Sequence, residues 1–131
     1  MFFIYLRKLN IMNSKEYIQG TIKTIVLKLL SDKDRMYGYE ITKRVAELSG
    51  GQIKLTYGAL YPVLYKLEND GLLVPTSEIV ENRARKYYSL TPKGKEVAKE
   101  KVSELQKFTE ILKIILMPDP DTKPGPMIWG N

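Results

Sequence analysis

The sequence predicts a mainly α-helical fold with a small β-hairpin and a long C-terminal helix, and three observations carry that expectation. Apolar residues recur at three- and four-residue spacing through most of the chain before Gly71. Directly after Gly71 the pattern becomes strand-like, rich in leucine, valine, isoleucine, threonine and tyrosine. After Thr91 and Pro92 helical spacing returns and persists to Leu116.

The first helix is expected over residues 14–30, where Ile18, Ile22, Ile25, Val26, Leu29 and Leu30 share one stripe and Asn13 or Ser14 supplies the cap. Residues 31–36 are polar and turn-like. A second helix follows over residues 37–48 with Ile41, Val45 and Leu48 inward, ended by Ser49, Gly50 and Gly51. Residues 53–55 are too few for more than a one-pair strand.

The third helix is expected over residues 57–70, and the rest of the fold is organised around it. Leu60, Val63, Leu64 and Leu67 form its apolar stripe, Tyr57, Tyr61, Tyr65 and Lys66 its other face. Thr56 is the cap, Gly71 the stop in the left-handed conformation, and Pro62 removes one internal bond. Residues 72–80 and 86–90 then read as two strands around a polar tip, Glu81 to Arg85, with Asn82 able to take a positive φ. Such a hairpin is marginal alone and must lean on the helices. Thr91 caps the last helix and Pro92 sits at its first position, where a missing N–H costs nothing. Along it Ala98, Val102, Leu105, Thr109, Leu112 and Leu116 alternate steps of four and three, a coiled-coil seam widened by Phe108, Ile111 and Ile115.

With 131 residues the chain is expected to form one domain. The organisation reads as an N-terminal extension (1–12, with a second methionine at Met12), a central domain (13–90), a dimerisation helix (91–116) and a proline-interrupted flexible tail (117–131, with Pro118, Pro120, Pro124 and Pro126). Lys plus Arg outnumber Asp plus Glu by 21 to 15, a formal charge of +6 that favours an anionic partner, nucleic acid first. There is no cysteine and no histidine, which removes disulfides, thiol nucleophiles, ordinary zinc sites and the commonest general base. Glu40, Glu68 and Asp70 are the only central carboxylates of catalytic interest, and none has a histidine, cysteine or metal partner, so an enzyme is disfavoured. Residues 2–6 are apolar but far short of the roughly 20 residues that span a bilayer. A cytoplasmic protein without a cofactor and without a membrane partner is expected.

Four blocks in order, YGYEI (37–41), SGG (49–51), GALYPVLYKLENDGLL (58–73) and NRARKYYSLTPKGK (82–95), resemble the PadR family of bacterial transcriptional regulators, in its short-tailed branch. The resemblance covers roughly residues 15 to 116 and implies a winged helix-turn-helix domain whose third helix reads DNA and whose hairpin is the wing. It also implies a homodimeric repressor on an inverted-repeat operator of double-stranded DNA, released by a small-molecule effector or a stress signal. Leu105 stands where some drug-sensing relatives carry an aromatic residue, which weakens an inference of planar-drug stacking.

Within that frame the third helix is nearly neutral, with Lys66 against Glu68 and Asp70. Residues 81–101 instead hold seven basic residues, Arg83, Arg85, Lys86, Lys93, Lys95, Lys99 and Lys101, against the three acidic Glu81, Glu96 and Glu100. Attraction is therefore assigned to the wing residues Arg83, Arg85 and Lys86, and groove reading to Thr56, Tyr57, Ala59, Tyr61 and Lys66. For Tyr61 packing and reading weigh equally; Tyr65 reads as packing. Self-association is assigned to Ile18, Ile22, Val102, Leu105, Phe108, Leu112 and Ile115. The alternative is a winged-helix adaptor that binds another protein through the long helix without specific DNA binding.

Overall fold

The computed structural model describes residues 14–122. The elements are α1 (Ser14–Ile18), α2 (Ile22–Asp32), β1 (Met36–Tyr37), α3 (Gly38–Leu48), α4 (Tyr57–Asn69), β2 (Leu73–Val80), β3 (Arg83–Leu90) and α5 (Pro92–Leu116). The expected extension at residues 1–12 and the tail beyond residue 122, including Trp129, lie outside the described residues.

The expected first helix is two helices. Gly20 and Thr21 interrupt it: the Thr21 hydroxyl donates to the Ile18 carbonyl at 2.8 Å, and the Thr21 N–H takes the same oxygen at 2.8 Å. That carbonyl is then satisfied by a turn rather than by a continuing helix. The one-pair strand also lies elsewhere than expected. Met36 and Tyr37 pair with Tyr88 and Tyr87, making a three-stranded antiparallel sheet in the order β1-β3-β2, whereas residues 53–55 carry no strand. Leu48, expected inward, is 61% exposed at the end of α3.

Helix α4 matches its expected caps. The Thr56 hydroxyl accepts from the Ala59 N–H at 3.2 Å. At the other end Gly71 takes φ 77°, Leu72 N–H donates to Leu67 O at 2.9 Å and Gly71 N–H to Glu68 O at 3.0 Å. This left-handed glycine stop turns the chain straight into β2. The wing is longer and its tip tighter than the sequence suggested. Only Glu81 and Asn82 connect the strands, with φ 51° and 63°, so Arg83 and Arg85 belong to β3 and not to the tip. Positive φ at both central residues matches the right-handed twist of a hairpin. Pro75 is tolerated because β2 is an edge strand.

One core joins all the helices and the sheet: Ile22, Val26, Leu27, Ile41, Leu60, Leu64, Leu67 and Tyr88 are almost wholly buried in it. Pleating sends Tyr88, Leu90 and Leu73 into that core and leaves Tyr87, Arg85 and Glu78 on the outer face. Helix α5 docks along α2 by its first half. The docking is tight at one point. A Cβ on Gly94 would stand 2.1 Å from the Leu72 carbonyl oxygen, which also accepts from Thr91 N–H at 3.0 Å. The Thr91 hydroxyl donates to Gly71 O at 2.7 Å and accepts from Gly94 N–H at 3.0 Å, tying the end of α4, the end of the wing and the start of α5 together.

Gly94→Ala is therefore expected to lower stability by about 1–3 kcal/mol through overpacking. Gly20→Ala, where nothing lies within 4 Å of the added carbon, should stay within about 0.5 kcal/mol of the parent. Urea unfolding of the two variants side by side measures the contrast, and equal midpoints would refute the close-approach account.

Candidate nucleic-acid interface

Helix α4 and the wing present two different chemistries. Tyr57, Tyr61 and Tyr65 form a file along α4, with ring centroids 5.8 Å and then 6.0 Å apart. Tyr57 and Tyr65 are exposed, whereas Tyr61 is half-buried. The reason is its neighbour. A Cβ on Gly38 would lie 2.5 Å from the Tyr61 hydroxyl oxygen and 3.0 Å from Cζ, so the ring fills the space a side chain would need at the start of α3. Tyr61 is thus a packing contact between α3 and α4. Ala59 is likewise turned toward the core. Thr56 has its hydroxyl engaged in the cap, and exposed Lys66 pairs with Asp70 at 3.4 Å. Of the five residues expected to face a groove, Tyr57 is the one that is exposed with no polar partner among the described residues.

The wing cations divide in the same way. Lys86 lies on the inner face, 3.4 Å from the Glu68 carboxylate and 5.6 Å from the Tyr65 ring centroid, where it links the wing to α4. Burial pushes the adjacent Tyr88 phenol up, and its hydroxyl has no hydrogen-bond partner among the described residues. Arg83 is exposed, with no ion pair among the described residues. Arg85 has no carboxylate partner either; its guanidinium lies over the Tyr37 ring, 4.2 Å from the centroid, and Nη1 donates to Tyr87 Oη at 3.5 Å.

Sequence reasoning missed the residues around Arg85. Arg35 lies over Tyr87, 4.1 Å from the ring centroid, and bonds Glu78 through both Nη nitrogens, Nη2 to Oε2 at 3.0 Å. Tyr37 meets Tyr87 edge to face at 5.4 Å and Tyr39 in a stack at 6.2 Å. The bond from Arg35 holds the Glu78 carboxyl below the usual carboxylate range, and the same bond raises the guanidinium. The period-two order of Arg83, Arg85 and Tyr87 was the available signal for a common face. Nothing local in residues 31–36 announced that Arg35 would join them, because β1 is only two residues long.

The residues assigned to self-association also separate. Ile18 and Ile22 are buried in the chain's own core, because α1 and α2 pack inside the protomer, so they are corrected to core residues. Val102 and Leu105 line an apolar groove of about 540 Å³ with Ile25, Leu29, Val45, Leu48 and Ile53. Phe108, Leu112 and Ile115 stand exposed further along α5, Ile115 by 70%. No helix among the described residues is long and apolar enough to cross a membrane.

Helices α2, α3 and α4, the hairpin wing and the long α5 make a winged helix-turn-helix protein. The family model described as "Transcriptional regulator PadR-like family" matches residues 26–100, more than half of the chain, and the protein belongs to that family of transcriptional regulators, which are not enzymes. A transcriptional regulator of Mycobacterium tuberculosis is 35% identical over 81 residues, covering 62% of this chain and 72% of that protein. Among solved structures, a transcriptional regulator from Clostridium thermocellum superposes with a TM-score of 0.70 at 27% identity, over 78% of this chain and 99% of that one. A PadR family transcriptional regulator from Eggerthella lenta gives 0.67 at 28% identity, over 79% and 88%.

If Tyr61 packs against α3 in this way, Gly38→Ala should destabilise the fold by about 1–3 kcal/mol, and adding Tyr61→Phe should recover part of that loss by removing the nearest atom. A double-mutant cycle in urea checks this; purely additive effects would exclude the contact.

Proposed function

We propose that the protein is a cytoplasmic, homodimeric repressor that binds an inverted-repeat operator, with one α4 in each of two major-groove half-sites about one helical turn apart. The observation that carries the reading is the pairing of an exposed, nearly neutral Tyr57 end of α4 with wing arginines that have no carboxylate partner among the described residues. A charged phosphate backbone rewards free cations, while base edges reward positioned polar and aromatic groups. Tyr57 specifies, and Arg83 and Arg85 attract. Lys66 and Lys86, each held by a carboxylate, are secondary.

The bare C-terminal half of α5 supports the dimer. A run of exposed Phe108, Ile111, Leu112, Ile115 and Leu116 needs a cover, and the apolar groove beside Leu105 lies next to it on the same helix. A second copy supplies both halves of such a contact, as a two-fold interface requires. The same groove offers a small apolar effector a place where its binding changes the separation of the two reading helices. A protein-binding adaptor is less well supported, since free wing arginines serve no purpose in it.

In salt-titrated binding, Arg83→Ala should weaken association with every DNA sequence and reduce the salt slope by about one unit for each protomer bound. Tyr57→Ala should leave the slope and lower discrimination between sites selected from random DNA and unselected DNA. Identical behaviour of the two variants would overturn this division.

Leu112→Glu combined with Ile115→Glu should convert the dimer to a folded monomer in sedimentation, with loss of operator binding. A parent protein that sediments as a monomer at micromolar concentration would refute the dimer.

A further inference from the structure

The sheet register makes Glu78 the direct cross-strand partner of Arg85 on the outer face of the wing. Opposite charges in that position ordinarily pair with each other. Here they do not. Glu78 is taken by Arg35, which reaches in from the residue before β1 and bonds both carboxylate oxygens. Arg85 is left with its guanidinium carbon over the Tyr37 ring, 4.2 Å from the centroid, and one bond of 3.5 Å to the Tyr87 hydroxyl.

This arrangement has a chemical consequence. A guanidinium recognises anions through the N–H groups at its edge, while its faces stack on rings. The Tyr37 ring and the Tyr87 hydroxyl hold the Arg85 guanidinium in place, and no carboxylate lies within 4.0 Å of it among the described residues. A planar cation held in one orientation with free donors is suited to a phosphate group. Had Glu78 followed its register, the same position would carry a neutral pair.

We propose that Arg35 is a positioning residue: by capturing Glu78 it keeps that carboxylate off Arg85, and so presents Arg85, on its Tyr37 platform, to a backbone phosphate of bound DNA. The inference rests on the DNA-binding reading above. It assigns to Arg35 an effect that passes through a second arginine, which a simple count of surface charge does not contain.

The test is salt-titrated binding to a mixed-sequence duplex several helical turns long, with thermal unfolding of each variant as the folding control. Arg85→Ala removes one phosphate contact from each protomer and should reduce the salt slope by about 1.8 for the dimer, which is roughly thirtyfold in affinity at 0.15 M salt. Arg35→Ala should produce nearly the same loss, because Glu78 is then free to pair with Arg85. Arg35→Ala with Glu78→Gln should bind like the parent, and Arg35→Ala with Arg85→Ala should bind no worse than Arg85→Ala alone. Charge counting instead makes the last pair additive, and additivity would overturn the proposal. So would failure of Glu78→Gln to restore binding, or an unchanged slope in Arg85→Ala. Should Arg35→Ala unfold, Tyr37→Leu against Tyr37→Phe serves in its place: loss of slope in the first with retention in the second is required. A parent protein that binds no duplex at low salt refutes the DNA-binding reading itself; a parent that binds while Arg85→Ala matches it refutes only this proposal.

Discussion

Four segments of the fold meet at the Leu72 carbonyl, and their relative positions depend on how closely α5 can approach it. Thr91 N–H bonds that oxygen, and Gly94 passes so near that no side chain fits between them. One hydroxyl, on Thr91, reaches the stop of α4 on one side and the first turn of α5 on the other. Because the same few atoms end α4, end β3 and begin α5, the reading helix, the wing and the proposed dimerisation helix share one rigid joint. A change in the spacing of two α5 helices would reach α4 without a flexible link to absorb it.

The proposed interface separates attraction from reading by position in the chain. Helix α4 offers aromatic rings and few free charges, with its one positive residue, Lys66, paired to Asp70. The wing offers Arg83 and Arg85 without carboxylate partners among the described residues. Packing decides which aromatic residues remain for DNA: Tyr61 is drawn against Gly38 and Ala59 toward the core, so the exposed end of the file is Tyr57. On the outer face of the wing, stacked tyrosines and arginines give a two-residue strand more influence than its length suggests. Met36 contributes to the core while Tyr37, next to it, turns outward beneath Arg85.

Helix α5 shows how an amphipathic stripe can serve two ends. Its first half is covered by α2 within the chain, with Ala98 almost fully buried. Its second half keeps the same apolar spacing and is exposed among the described residues. The groove beside Val102 and Leu105 marks the change from one to the other.

The sequence by itself determined the helices with strong apolar periods, the caps at Thr56 and Thr91, the stop at Gly71 and the presence of a wing, because each of these is set by residues close together in the chain. It also placed the surplus of positive charge on the wing side, since charge can be counted without coordinates. The break at Gly20 and Thr21 and the pairing of Met36 and Tyr37 with β3 escaped it. A short turn competes there with a good helical pattern, and a two-residue strand exists only through its partner. The tertiary structure alone decided that Ile18 and Ile22 are core residues, that Tyr61 packs against α3, and that Glu78 bonds Arg35 in place of its cross-strand neighbour. These depend on which of several chemically equivalent partners arrives first in space, and periodicity records a residue's face but not what stands opposite it.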